Sequence, residues 1–126
     1  MWGNNGVDIS DMKGKTLLEV DAEKGDGVAE FKTSDGFLYK MFHDQECCEQ
    51  VELEDVCGDV NDLIGNPLLI AESVSSEEGL APKWSDSYTW TFYKLATIKG
   101  SVTFRWLGQS NGYYSEEVGI QKTIAE

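Results

Sequence analysis

Hydrophobic and polar positions alternate with a period of two along much of this chain, and the longest alternating stretch runs from Ser87 to Val118. Its two arms are rich in aromatic and β-branched residues, which are typical of half-buried strands. We predict two long strands joined by a turn at Lys99-Gly100, followed by a polar turn at Gly108 to Gly112 and a third strand. The rest of the fold is expected to form around this hairpin.

A two-residue turn at Lys99-Gly100 pairs Lys94 with Arg105 and sends alternate side chains of the hairpin to opposite faces. One face is apolar enough for an ordinary core, whereas the other mixes aromatic rings with two cations. We predict that the first face carries Tyr93, Leu95, Thr97, Val102, Phe104 and Trp106, and that the second carries Tyr88, Trp90, Phe92, Lys94, Thr103, Arg105 and Leu107.

Shorter elements precede the hairpin. Ser10 to Lys15 is long enough for one helical turn at most, and three strands joined by tight turns then form an antiparallel meander. Asp59 is expected to cap a short helix that continues to Ile64 and ends at Gly65. The meander strands are predicted at Thr16 to Ala22, Val28 to Thr33 and Phe37 to His43. We predict further strands at Glu49 to Val56 and at Leu68 to Ser73, the latter in a sheet interior, with Gly119 to Glu126 as a strand or a tail.

These elements predict a mainly β fold, either an antiparallel β-sandwich or a strongly bent sheet with one or two short helices. No repeat or linker divides the chain, so we expect a single domain over residues 1–126, in which residues 1–6 are a loose leader. The first residues lack the features of a secretory signal, and no apolar run approaches the roughly 20 residues of a membrane span. We therefore expect no membrane association.

Ten lysines and arginines against 23 aspartates and glutamates give a net charge of −13. A field of this sign repels a phosphate backbone, so we expect no direct binding to nucleic acid. It permits the reverse arrangement, in which the carboxylates are presented to a basic partner protein. Acidity that serves only solubility is the alternative.

The cysteines are Cys47, Cys48 and Cys57, an odd number that does not form a disulfide framework. Adjacent cysteines of an extended chain point to opposite faces, so Cys47, Cys48 and His43 lack the spacing of a zinc site. We predict reduced, metal-free and mostly buried thiols. Because no catalytic triad, phosphate-binding loop or zinc-protease helix is present either, we expect no enzyme and no cofactor.

The second face of the hairpin is the candidate binding surface. Aromatic rings stack on nucleobases with about 1–3 kcal/mol per base, and an arginine can bind a phosphate through two N–H groups. The same pattern is also typical of basic stems that cover apolar surface, or of rings at a subunit interface. Both interpretations stay open, and the predicted ligand-binding residues are Trp90, Phe92, Lys94 and Arg105, with Asn111 and Tyr113 in the adjoining turn.

The aromatic content also predicts assembly. The chain has four Trp, five Tyr and five Phe, more large rings than one core of this size readily buries. Tyr88, Trp90 and Phe92 would form an exposed apolar row, which is unusual for a monomer. Interface cores favour such rings together with arginine, so we expect a homo-oligomer with closed symmetry.

Four sequence blocks within Phe37 to Val118 carry a resemblance to known proteins: D-Q-x-C-C-E, E-D-V-x-G-D, D-L-I-G-x-P and R-W-x-G-x-S-N-G-Y-Y-S-E. Together they are similar to a family of small phage and prophage proteins of unknown function. That family in turn resembles the Thoeris anti-defence sponges, which capture cyclic ADP-ribose signals or cyclic oligonucleotides. The resemblance implies β-rich protomers that oligomerise and hold a ligand at subunit interfaces without catalysis. Arg105, Trp90 and Phe92 would be the counterparts of the ligand-holding residues.

From the resemblance we expect a phage counter-defence protein of the host cytoplasm that sequesters a cyclic nucleotide immune signal. The alternative is an acidic phage inhibitor that binds a host defence protein directly, as a nucleic-acid mimic or in the manner of an anti-CRISPR protein. A third interpretation is a structural or accessory phage domain with no small ligand.

Overall fold

The structure is a computed structural model that describes residues 6–23, 25, 27–43, 49–76, 87–110 and 118–125. Within these residues the chain forms nine strands and two 3-10 helices. In chain order they are β1 (Gly6–Val7), the first 3-10 helix (Ile9–Met12), β2 (Leu17–Asp21), β3 (Val28–Thr33), β4 (Phe37–Phe42), β5 (Gln50–Cys57), the second 3-10 helix (Val60–Leu63), β6 (Ile70–Ser76), β7 (Ser87–Thr97), β8 (Gly100–Ser110) and β9 (Gly119–Ile124).

The strands pair antiparallel in two sheets, of order β1-β9-β4-β3-β2 and β5-β8-β7-β6. The core lies between them, and Phe31 of the first sheet packs edge-on against Phe104 of the second with ring centroids 5.3 Å apart. Alternating inward side chains from both sheets are expected to fill such a layer. The predicted fold class, a mainly β protein with antiparallel sheets and short helices, is therefore confirmed.

The β7–β8 hairpin has the predicted faces but not the predicted register. Thr97 pairs with Gly100, so the tip is Ile98-Lys99 and each cross-strand pair moves by two residues. A shift by two keeps every side chain on its face, and all six side chains of the predicted core face are buried. The glycine provides space rather than a turn conformation, because a Cβ at Gly100 would lie 2.8 Å from Oδ2 of Asp62.

The predicted helix after Asp59 is a single 3-10 turn. The Asp59 carboxylate accepts a hydrogen bond from the backbone N–H of Asn61 at 3.0 Å, as a capping residue does. Near the start of the sequence, Gly6 was expected in a loose leader, but it pairs with Gln121 of β9.

One predicted position in the sheets is wrong. The segment Leu68 to Ser73 was expected in a sheet interior, but β6 begins at Ile70 and is an edge strand with exposed side chains from Glu72 to Ser75. The segment Gly119 to Glu126 was predicted as a strand or a tail, and it contains a strand, β9, which lies inside its sheet between β1 and β4. Among the described residues, no helix has the length and apolar character needed to cross a membrane.

Candidate functional site

The cationic–aromatic face, which we define as Trp90, Phe92, Lys94 and Arg105, lies on the outward surface of the four-stranded sheet. Its two strands, β7 and β8, are the central strands of that sheet. The pairing places Arg105 opposite Phe92. The neighbouring strands continue this row, with Asp55 of β5 opposite Arg105 and Val74 of β6 opposite Phe92. One row across the sheet therefore reads carboxylate, guanidinium, aromatic ring and aliphatic side chain.

The rings and the guanidinium of this face are in contact distance of one another. The Trp90 and Phe92 rings are parallel within 2°, with centroids 6.1 Å apart. The Cζ atom of Arg105 lies 5.1 Å from the Trp90 centroid and 5.8 Å from the Phe92 centroid. Such a position over the ring faces is that of a cation–π contact, which orients the planar guanidinium.

Arg105 also makes an ion pair with Asp55, whose Oδ2 is 3.6 Å from the arginine Nη1. Both side chains are open to water, at 38% and 44% exposed. Ion pairs of this kind contribute only about 0–1 kcal/mol, because solvent screens the charges. Another anion at this position would therefore compete with a weakly held carboxylate.

Lys94 is on the predicted face but has a different cross-strand partner from the predicted one. It lies opposite Thr103 of β8 and Glu72 of β6, so it is diagonal to Arg105 rather than paired with it. The Lys94 side chain is exposed. The two cations of the face are thus each in register with a carboxylate from a flanking strand, which reduces the positive potential over the sheet.

The predicted exposed row of Tyr88, Trp90 and Phe92 is wrong at its centre. Trp90 is only 8% exposed, and its cross-strand partner Leu107 only 7%. Tyr88 and Phe92 are half-buried. Among the described residues, the indole N–H of Trp90 has no hydrogen-bond partner. Phe92 is consequently the ring of the defined face that a ligand can reach most easily. The buried Trp90 ring lies parallel to it on the same face.

The remaining predicted ligand-binding residues, Asn111 and Tyr113, lie outside the described residues. The structure therefore brings together the four side chains on the strands and leaves the prediction for the turn open.

His43, a candidate metal ligand or base by its residue type, is held by a carboxylate. Its Nε2 lies 2.6 Å from Oε2 of Glu49, and the two side chains are 3% and 0% exposed. A buried carboxylate beside an imidazole orients the ring. Within the described parts of the chain, no group of three or more His, Cys, Asp or Glu side chains is arranged to hold a metal ion.

Cys57 is exposed, so the prediction of a buried thiol is wrong at this position. The reason is that β5 continues one residue beyond the predicted end at Val56, and the alternation then sends Cys57 outward opposite Thr103. Its Sγ lies 3.6 Å from the carboxylate of Asp55. Cys47 and Cys48 lie outside the described residues.

Sequence reasoning missed a second contact between cations and aromatic rings, at one end of the first sheet. The Nζ atoms of Lys15 and Lys122 lie 5.0 Å and 4.3 Å from the ring centroid of Phe37. Each lysine has its own carboxylate partner, Asp35 for Lys15 and Asp11 for Lys122. The hydrogen bond from Lys15 holds the pKa of Asp35 below its ordinary value. These residues come from three segments that are far apart in the sequence, so no local pattern links the segments, and the mutual pairing of the residues indicates a structural role.

Comparison with known proteins identifies a family. No curated protein and no solved structure matches this chain. Residues 10–120 match the family model of a domain of unknown function, DUF7448, which covers the hairpin, the meander and both short helices except Ile9. The match is consistent with the expected family of unknown function. The chain belongs to the DUF7448 family.

Proposed function

We propose that this chain is a non-catalytic binding protein that captures a small cyclic nucleotide on its cationic–aromatic face, and that it acts in the host cytoplasm as a phage counter-defence protein. The observation that supports the proposal is the guanidinium of Arg105 lying over the stacked rings of Trp90 and Phe92. A flat ring beside an accessible guanidinium offers the two contacts that a nucleotide needs.

The base would stack on Phe92. This ring is half-buried, so one part of it is anchored and another part is accessible. Trp90 lies parallel to it and is buried, which limits the movement of the pair. Stacking on such a ring contributes about 1–3 kcal/mol per base and depends little on which base it is.

The phosphate would bind Arg105 in place of Asp55. A phosphate can accept two parallel N–H bonds from one guanidinium, and these charge-assisted bonds are stronger than a long ion pair in water. Lys94, diagonal to Arg105 on the same face, supplies a second positive charge. Two cations suit a ligand with one or two phosphates better than a polyanion.

Binding without turnover follows from the residue types. The defined face consists of two rings and two cations, and neither arginine nor an ordinary lysine is a nucleophile or a general base at neutral pH. Such a face can hold a nucleotide and remove it from solution, which is the action of a sponge.

The test is the affinity of purified protein for cyclic ADP-ribose and for a cyclic dinucleotide, measured by isothermal titration calorimetry. We expect Arg105→Ala to weaken binding by about 10- to 100-fold, equivalent to about 1.4–2.7 kcal/mol. The matched control is Lys40→Ala on the other sheet, since Lys40 makes a similar ion pair with Glu30 at 3.9 Å and is 40% exposed. Asp55→Asn, which removes the competing charge, is expected to strengthen binding.

Two outcomes would contradict the proposal. If neither nucleotide gives a measurable heat of binding, the protein does not capture these ligands. An Arg105→Ala variant that binds like Lys40→Ala would show that net charge, and not the cationic–aromatic face, determines the affinity.

An acidic inhibitor that binds a host defence protein is the second candidate. It is favoured by a shallow cavity of about 230 Å³ on the outward surface of the five-stranded sheet, lined by Glu19, Asp21 and Glu30. Lys32, the one cation among the described residues of that lining, already pairs with Glu19 at 3.6 Å. In a chain of net charge −13, this surface offers carboxylates to a basic partner.

Charge reversal separates the two candidates. For an inhibitor, the complex with the partner is expected to weaken with salt, and with Glu19→Lys and Glu30→Lys or with reversals at Glu52, Glu54 and Asp59. Arg105→Ala would leave that complex intact. For a nucleotide sponge the opposite is expected: Arg105→Ala weakens nucleotide binding strongly, and the charge reversals at acidic residues change it only slightly.

A further inference from the structure

A cavity of about 440 Å³ lies between the two sheets, on the opposite side of β7 from the cationic–aromatic face. One wall consists of inward side chains of β6 and β7, and the other of residues from β1, the start of the first 3-10 helix and β9. The inward positions of β7 change character along the strand. Near the hairpin tip they carry Leu95, which belongs to the core, and farther away they carry Thr91 and Thr89.

The same change occurs on β6, where the inward side chains run from Ala71 to Ser73 and Ser75. The pairing puts Ser75 opposite Thr91 and Ser73 opposite Tyr93. The inward positions of β6 and β7 therefore change from apolar to hydroxyl-bearing at this end of the sheet. The cavity is lined there by five side chains that end in a hydroxyl group: Ser73, Ser75, Thr89, Thr91 and Tyr93.

The Thr91 side chain lies deep in this wall. Thr91 is only 4% exposed and lines the cavity together with the other hydroxyl-bearing side chains. A molecule in the cavity would therefore meet a hydroxyl group at this point, one that can both donate and accept a hydrogen bond. The Tyr93 hydroxyl donates to the carbonyl oxygen of Val118 at 2.7 Å, which fixes its ring at the cavity wall.

The charge of the described lining residues disfavours an anion. Asp8 lines the cavity, and the described lining residues include no lysine, arginine or histidine. The Ser10 hydroxyl and backbone N–H both donate to the Asp8 carboxylate, which lowers the pKa of Asp8 and keeps it charged at neutral pH. A nucleotide phosphate would be repelled here, whereas a neutral compound would not.

We infer that this cavity binds an uncharged polyhydroxyl compound, a carbohydrate of one or two sugar rings. Sugar hydroxyls donate and accept hydrogen bonds, as do the serine and threonine hydroxyls of this wall. The aliphatic side chains of Val7, Ile9 and Ile120 on the opposite wall suit the C–H faces of a sugar ring. The volume lies within the range of about 300–1,000 Å³ that is usual for small-molecule sites. The site does not depend on the proposed nucleotide site, since the two lie on opposite faces of β7.

The test uses the whole chain and three probes: glucose, maltose and glucose 6-phosphate. Saturation-transfer NMR and calorimetry are expected to give saturable binding of glucose or maltose in the millimolar range or tighter, and binding of glucose 6-phosphate about tenfold weaker than that of glucose. No saturable binding of either neutral sugar would overturn the inference, since the cavity would then hold water alone. Tighter binding of the phosphate would also overturn it.

Variants locate the bound sugar. Thr91→Val keeps the shape of the side chain and removes the hydroxyl, and Ser75→Leu fills the cavity from an exposed lining position. Each is expected to weaken sugar binding about tenfold or more, whereas Ser101→Ala, on the exposed outward face of β8, is expected to leave it unchanged.

If Thr91→Val fails to fold, the exposed position of Ser75 keeps the test decisive. Sugar affinity unchanged by Ser75→Leu would place the sugar elsewhere and overturn the inference. Arg105→Ala is expected to leave sugar binding intact, so failure of the nucleotide proposal and failure of the sugar proposal can be told apart.

Discussion

Gly58 is the described glycine at which an added side chain would meet the closest neighbouring atom. Its φ is +123°, and a Cβ built there would lie 2.5 Å from the carbonyl oxygen of Ser101. The obstacle is backbone of the neighbouring strand β8, which cannot swing aside as a side chain can. We expect Gly58→Ala to lower the free energy of unfolding by about 2–5 kcal/mol, as the sum of backbone strain and overpacking.

Urea unfolding of the variant and of a matched control measures this effect. Gly36 also has a positive φ, +92°, but a Cβ there would meet nothing within 4 Å. Gly36→Ala is therefore expected to cost only the strain of a left-handed residue, about 1–2 kcal/mol. Equal losses for the two variants would mean that the contact with Ser101 carries no weight.

Asp11 predicts a pH dependence of stability. Its carboxylate accepts a hydrogen bond from the Tyr39 hydroxyl at 2.7 Å and lies 3.1 Å from Nζ of Lys122. The hydrogen bond from Tyr39, followed by the contact with Lys122, holds the pKa of Asp11 below its ordinary value of 3.8. Stability from this contact is therefore present above that value and lost as the pH falls through the folded-state pKa.

The Tyr39 hydroxyl sets the alkaline limit of the same contact. Burial, and then the hydrogen bond to Asp11, raise the pKa of Tyr39 above its ordinary value of 10.0. A raised pKa of an acid contributes stability that is present below the ordinary value and lost as the pH rises through the folded-state pKa. The contact is consequently complete between about pH 4 and pH 10.

Tyr39→Phe tests the contact. Because Asp11 is exposed, solvent screening limits the expected loss at pH 7 to about 0.5–1 kcal/mol of unfolding free energy. The difference from the unmodified protein is expected to shrink as the pH falls below about 4, where Asp11 becomes protonated. Tyr88→Phe, on the outward face of the other sheet, is the control and is expected to show no such change. A difference that stays constant down to about pH 2.5 would contradict the assignment.

Among the elements, the β7–β8 hairpin and the second 3-10 helix are joined at the hairpin tip. The Thr97 hydroxyl donates to the carbonyl oxygen of Asp62 and accepts from the backbone N–H of Lys99 at 3.1 Å. Gly100 leaves room for the Asp62 carboxylate at the same point. The helix therefore fixes the tip at Ile98-Lys99 from outside the hairpin.

A double-mutant cycle separates space from backbone conformation at Gly100. We expect Gly100→Ala to cost about 1 kcal/mol in the unmodified protein, since the Asp62 side chain can move only partly aside. In an Asp62→Ala background the same change is expected to be neutral or slightly stabilising, because alanine reduces the entropy of the unfolded chain. A coupling energy near zero in urea unfolding would show that Gly100 is needed for another reason.

The hairpin also shows what alternation can predict and what it cannot. Side-chain period alone determined which residues of β7 and β8 point to the core, and the predicted core face is buried at every position. The register depends on Asp62, far away in sequence, so a local turn pattern placed the tip one residue too late. The bounds of β3 were predicted at Val28 and Thr33, as found, because tight turns enclose that strand.

The position of a strand within its sheet could not be predicted from the sequence for a similar reason. The apolar run Leu68 to Ser73 contains an edge strand, and the polar segment after Gly119 contains an interior one, because strand order is decided by tertiary pairing. The face of the candidate site was predictable from alternation. The burial of Trp90 was not, and the hydroxyl-lined cavity has only a faint sequence signal, the Ser-x-Ser and Thr-x-Thr spacing on β6 and β7.

For the molecule as a whole, the two outward surfaces differ in kind. The five-stranded sheet presents carboxylates around Glu19, Asp21 and Glu30, and charge repulsion makes it a poor surface for self-association. The four-stranded sheet presents a mixed row in which Val74 is 60% exposed beside the half-buried Phe92. Rings and an arginine at the centre with charges at the margin are typical of subunit interfaces.

We therefore predict that the chain forms a homo-oligomer through the outward surface of the four-stranded sheet. Trp90 is already buried within the chain, so the contact would rest on Phe92 and Val74 with Arg105 beside them. A stable interface between two copies buries about 1,200–2,000 Å² in total, which a face of four strands can supply. Light scattering at micromolar concentration is expected to give a mass that is a multiple of 14.0 kDa.

Charged substitutions identify which surface associates. Val74→Lys places a charge in the middle of the expected contact and is expected to dissociate the assembly to 14.0 kDa. Leu18→Lys is the matched control, since Leu18 is 52% exposed on the other sheet and lies outside that contact. If the nucleotide is held between subunits, Val74→Lys also weakens its capture, whereas a site within one chain keeps its affinity. A 14.0 kDa species before any substitution, or dissociation by Leu18→Lys alone, would contradict assembly through this sheet.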